Sequence, residues 1–73
     1  MSDYRSIACA DHERLEFAAL KRQWLDLNVT TGDWAGRQRL MPLDVTTRDG
    51  AEWLLAETPS GEKLTLRLDW LQF

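Results

Sequence analysis

From Asp11 to about Lys21 the chain runs through good helix formers with no glycine, proline or β-branched residue to interrupt them, which predicts a helix there. Asp11, or a residue just before it, is the expected N-cap, and Glu13 then falls in the first turn, where the helix dipole favours an anion. The apolar positions form two stripes, Leu15/Ala18/Ala19 and Phe17/Leu20, too broad for a simple amphipathic surface helix. Such a helix covers the open end of something. Beyond Lys21 the period changes to two: Leu25, Leu27 and Val29 share one face of a strand over Trp24–Thr30. Gly32–Gly36 reads as a hairpin loop longer than a two-residue turn. A second strand follows from Arg37 to about Val45, with Pro42 forcing a bend, a bulge or an edge position. Asp49-Gly50 marks the next turn, and Glu52–Glu57 is a strand too apolar to have one fully wet face. Pro59–Glu62 turns the chain into Lys63–Leu68, the clearest alternation of all, and Asp69–Phe73 supplies a corner and a last short strand.

One helix (about 11–21) followed by four or five short antiparallel strands (about 23–73) predicts a mainly β, α+β fold. So few strands cannot hide two separate sheets, so the expected form is a small barrel with the helix packed on it. The 73 residues make a single domain, 1–73. At that size the core barely offsets chain entropy, so nearly every apolar residue is expected inside. Hydrophobic residues make up 44% and charged residues 29%, proportions that argue against disorder. No apolar run exceeds four residues, against roughly 20 for a membrane span, and Met1–Ala10 has no apolar segment of the secretory kind. A cytoplasmic location, no membrane and a free monomer are the expectations.

Enzyme signatures are missing. His12, the single histidine, lies between Asp11 and Glu13 with no nucleophile at a recognisable spacing, and reads as a surface helix residue. Cys9, the single cysteine, excludes an internal disulfide and a thiolate metal site, and reads as a buried structural residue. The glycines fall in turns and build no phosphate loop, and Asp11, Glu13 and Glu16 on a helix make a poor calcium site, so no cofactor and no metal are implied. A net charge of −3 opposes direct nucleic-acid binding, and an acidic surface calls for a basic partner. Among the four tryptophans, Trp24, Trp53 and Trp70 lie in or beside strands, where a core role is favoured. Trp34 stands in a glycine-flanked loop, where contact with a partner and packing on the barrel rim are equally open. Arg37 and Arg39 alternate on one strand face, a thin basic patch.

Read in order, Tyr4, Ile7, Cys9 and Asp11, then Leu15-Glu16-Phe17-Ala18, Asp44, Glu52-Trp53-Leu54 and Arg67-Leu68-Asp69 carry a resemblance that runs from Tyr4 to Phe73. The chain resembles the Rof family, also called YaeO: small Rho-binding antiterminators that inhibit Rho-dependent transcription termination. The resemblance implies an N-terminal helix on a small Sm-like antiparallel barrel. It also implies that an acidic surface centred on the helix docks on the primary RNA-binding site of Rho, in its N-terminal OB-fold domain, and competes with RNA. By position the contacts would be His12, Glu13 and Glu16 with Asp11 beside them. The loops around Trp34 and Arg48 are the second place to look for the interface. The alternative function is an Sm-like RNA-binding module, which would bind single-stranded RNA with strong salt dependence.

Overall fold

The computed structural model describes residues 4–73. Its helix, α1 (Cys9–Lys21), begins before Asp11: Ala8 is the N-cap, without a side-chain hydrogen bond, and its carbonyl accepts from the N–H groups of Asp11 and His12, each at 3.0 Å. Cys9 and Ala10 are small enough to extend the helix backwards, so Asp11 becomes the first-turn anion in place of Glu13. At the other end Arg22 adopts a left-handed conformation (φ 56°) and the Gln23 N–H closes on the Ala18 carbonyl at 3.0 Å, a Schellman-type stop.

The strands are β1 (Leu25–Val29), β2 (Gly36–Arg48), β3 (Ala51–Glu57), β4 (Lys63–Arg67) and β5 (Leu71–Gln72), with a 3-10 turn at Leu68–Trp70 leading into the last. They form one antiparallel sheet in the order β4-β3-β2-β1-β5. β2 serves two partners: Gly36–Leu40 pairs with β1, and Met41–Arg48 pairs with β3. The register shifts between Pro42 and Asp44, so of the bend, bulge or edge position expected of the proline the strand adopts a bulge, with Pro42 buried. Asp49 (φ 53°) and Gly50 (φ 75°) both take positive φ, as a two-residue hairpin turn between paired Arg48 and Ala51 requires.

The sheet is not closed into the barrel that the strand count predicts. β4 and β5 are its two edges, and β5, with two residues, pairs only with β1 through Asn28↔Gln72 and Val29↔Leu71. The fold is therefore α+β, mostly β, with one helix on an open five-stranded sheet.

The core gathers Leu15 from the helix with Leu27, Val29, Leu40, Leu54, Leu66 and Leu68 from the sheet and the 3-10 turn. The helix packs mainly against β2 and buries only one of its two apolar stripes, through Leu15 and Ala18. Phe17 is 54% and Leu20 80% exposed. The expectation that nearly every apolar residue is inside fails at Phe17, Leu20, Leu55 and Phe73, and on the helix it fails because 100° per residue cannot present both stripes to one small sheet. Trp34 and Trp70 pack against the core, whereas Trp24 and Trp53 are half-buried and lie outside it. Trp53 instead meets Trp70 edge to face at 5.8 Å and donates its indole N–H to the Arg48 carbonyl at 3.2 Å. Among the described residues no helix is long and apolar enough to cross a membrane.

Candidate partner-binding site

α1 carries Asp11, His12, Glu13 and Glu16 together, as the sequence predicts, but their surroundings differ. Asp11 is half-buried and Glu13 is exposed. His12 is not a solvated surface residue. Its ring is 26% exposed and lies between two carboxylates, Nδ1 at 2.7 Å from Glu16 Oε1 one turn along the helix and Nε2 at 2.7 Å from Glu52 Oε2 on β3. A ring with a carboxylate at each nitrogen donates from both, which is the imidazolium form. Burial alone would lower the His12 pKa, but the hydrogen bonds and negative charges of Glu52 and Glu16 outweigh it and hold the value above the ordinary 6.5.

Glu52 is shared. Its other oxygen accepts from the Tyr4 hydroxyl at 3.0 Å, so one β3 carboxylate ties the N-terminal segment and the helix to the sheet. Burial first, then the hydrogen bond to Glu52 and the charges of Glu52 and Asp69, push the Tyr4 phenol up to about 12 against the opposing pull of Arg67. Tyr4 is therefore a permanent donor at neutral pH. Beside it, Arg67 grips Asp69 through two bonds, Nε to Oδ1 at 2.7 Å and Nη2 to Oδ2 at 3.1 Å, and the Arg5 N–H donates to the same carboxylate at 3.2 Å. The Arg67 guanidinium also lies 5.9 Å from the Tyr4 ring and 5.5 Å from the Trp70 ring. These contacts fix the segment that precedes the helix.

The other two predicted site residues stand apart. Trp34 is half-buried on the core, accepts from Gln38 Nε2 at its carbonyl, and lines a shallow groove with Trp70 and Leu66. Arg48 lies at the β2–β3 turn, 5.4 Å over the Trp53 ring and 3.9 Å from the Asp49 carboxylate. Among the described residues no hydrogen bond or ion pair joins either to the helix carboxylates. Trp34 thus packs against the core and still lines an open surface groove.

Three features were missed in the sequence. Glu52 belongs to the acidic group, a contact across 40 positions that no local pattern reveals. Cys9, expected to be buried, is exposed as the first residue of the helix, because the helix starts earlier than Asp11 and turns Cys9 away from Leu15. Phe17 and Leu20 line the helix exterior, where Glu13 and Glu16 border them. An open groove of about 350 Å³ follows between helix and sheet, walled by Glu16, Leu20, Leu43, Asp44 and Val45. The two stripes, expected to make the helix a cover for an open end, leave the Phe17/Leu20 stripe exposed instead, and that second stripe was the available signal for this face.

Among the described residues no three His, Cys, Asp or Glu side chains are placed to hold a metal ion. The surface offers fixed anions and apolar groups on a rigid helix, an arrangement suited to binding. Comparison of the chain with family models, with curated proteins and with solved structures gave no match.

Proposed function

We propose that this protein binds the transcription termination factor Rho at its primary RNA-binding site, through the acidic face of α1, and inhibits Rho-dependent termination by competing with RNA. The observation that carries the reading is the placement of Glu13 and Glu16 on the exposed side of a helix whose N-terminal end is fixed to β3 through His12 and Glu52. A site built to attract phosphates attracts carboxylates held at fixed spacing, and rigidity lowers the entropy lost on binding. The residues behind the Rof resemblance support it from the inside. Tyr4, Glu52, Arg67 and Asp69 are the ones whose hydrogen bonds position that helix. The Sm-like character of the fold belongs to the same proposal and draws on the order of one helix and then five strands. In this reading the protein acts as a cytoplasmic monomer, uses no cofactor and is not an enzyme.

The alternative, an Sm-like RNA-binding module, draws on the alternation of Arg48, Trp53, Trp70 and Arg67. A net charge of −3 and the engagement of Arg67 by Asp69 weigh against it. The test is to measure RNA binding and RNA-stimulated ATPase activity of Rho as this protein is added. Both should fall, and excess pyrimidine-rich RNA should restore them. Inhibition that RNA cannot relieve would exclude simple competition, and direct RNA binding by this protein with steep salt dependence would favour the alternative.

A further inference from the structure

We infer that Phe17 and Leu20 form an apolar anchor that works beside Glu13 and Glu16, so that the helix meets a partner surface made of cations together with a flat apolar platform. The inference rests on the reading of this protein as a competitor of RNA and deepens it. The helix then imitates the bases of a single strand as well as its phosphates.

The geometry of α1 leads there. Leu15 and Ala18 mark its buried side, and at 100° per residue Glu13, Phe17 and Leu20 fall on one line on the opposite side. Phe17 is 54% and Leu20 80% exposed in a chain of 73 residues, where apolar area is scarce in the core. A scattered surface leucine needs no explanation, but here two large side chains adjoin each other between Glu13 and Glu16 and lead into the groove walled by Asp44 and Val45.

Charge selects the occupant. Glu13 and Glu16 line the outer surface together with the apolar pair, Asp44 and Arg22 both line the adjoining groove, Lys21 lies 4.7 Å over the Phe17 ring and Arg14 flanks its other side. The two carboxylates that share the outer surface with Phe17 and Leu20 disfavour an anionic membrane surface and a nucleic acid there. A second copy of the chain would have to bury about 1,200 Å² for a stable pairing, more than two side chains on a 13-residue helix supply. A groove that binds single-stranded RNA has what this face lacks, because it combines a cationic track for phosphates with aromatic platforms for bases. Glu13 and Phe17 are one turn apart, about 5 to 6 Å between β-carbons, so a carboxylate and a ring reach such a groove side by side. The carboxylates then govern encounter and salt dependence, and the apolar pair governs retention.

The experiment is a calorimetric titration of Rho with the full chain, with Phe17→Gln/Leu20→Gln, with each single substitution, and with Glu13→Gln/Glu16→Gln, at low and high salt. Glutamine keeps helix propensity, and circular dichroism establishes that each variant is folded. The apolar double variant should bind about 30-fold or more weakly with an unchanged salt slope, and each single variant should show part of that loss. The carboxylate variant should show a reduced slope. If the folded apolar variants bind Rho within about twofold of the parent, which is below the hot-spot range, the anchor is wrong while the Rho reading stands. If the parent itself does not bind Rho, both fall. If the parent dimerises in sedimentation and Phe17→Gln/Leu20→Gln abolishes the dimer without weakening Rho binding, the stripe is a self-association surface and the anchor is overturned.

Discussion

His12 and Phe17 lie little more than one turn apart on α1 and have opposite surroundings. His12 is held by carboxylates from two elements, each at 2.7 Å, and one of these, Glu52, is held in turn by Tyr4. Phe17 meets Lys21 above its ring and leaves 54% of its surface to solvent. One helix thus divides its work by face. Its N-terminal end is fixed by ionic hydrogen bonds, its middle by Leu15 and Ala18, and its outer line carries no structural duty. That division separates what a substitution does to folding from what it does to binding.

The largest effect should come from crossing the division within one turn. Leu15 is fully buried, and Leu15→Ala removes its contacts and leaves a cavity in a core with few members, a loss of about 3 kcal/mol or more. Phe17→Ala removes a larger side chain yet should change stability by about 0.5 kcal/mol or less. Chemical denaturation of the two variants makes the check. Equal losses would mean that the helix is rotated and that Phe17 is a core residue after all.

The same division explains what was legible in the sequence. Period-two alternation gave β1 and β4, the Asp49-Gly50 pair gave the β2–β3 turn, and Pro42 gave the bulge, because each is a local preference that the backbone obeys wherever the strand sits. Two things were not local. Closure depends on the length of β5, and its two residues leave the sheet open where the strand count suggests a barrel. The role of His12 depends on Glu52, brought beside it by tertiary packing. The core role expected of the strand tryptophans holds for Trp70 and fails for Trp24 and Trp53, for a related reason. Alternation places Trp53 on a strand, but which face is covered is set by the helix, and the helix lies on the Leu54 side. The four carboxylate and histidine positions of the helix were readable as a group, while the distinction between the free Glu13 and the engaged Glu16 was not.

A smaller effect is expected at His12, and its pH dependence sharpens the contrast with Phe17. The folded protein holds the imidazolium proton more tightly than the unfolded chain does, since the folded pKa is raised above 6.5. The stabilisation is therefore complete below about 6.5 and is lost as the pH rises through the raised folded value. His12→Ala should cost about 1 kcal/mol near pH 6, a figure kept small by the partial exposure of the ring. It should cost less once the pH has risen through the folded value and the proton has left. Urea midpoints of parent and variant across that range make the measurement. A gap between them that stays constant, or widens with pH, would show that the imidazolium contributes nothing through its charge.

The smallest effect, and the finest test, compares Glu13 with Glu16. Glu16 is 58% exposed, so its pairing with His12 is screened, and Glu16→Gln should lower stability by only about 0.5 kcal/mol. Among the described residues Glu13 has no such ion-pair partner, and Glu13→Gln should leave stability unchanged. The ranking should reverse in binding. Below the His12 transition the imidazolium offsets part of the Glu16 charge, whereas Glu13 stands on the same line as Phe17 and Leu20. Under the Rho reading Glu13→Gln should therefore weaken binding more than Glu16→Gln, and raising the pH through the His12 transition should strengthen the contribution of Glu16 by removing its neighbour's positive charge. Titrations of both variants at pH 6 and pH 9 distinguish the two carboxylates. If Glu16→Gln is the more damaging at both pH values, the ionic link from His12 to Glu16 presents that carboxylate to the partner and does not occupy it, and the division of the helix by face ends one residue further along than His12 suggests.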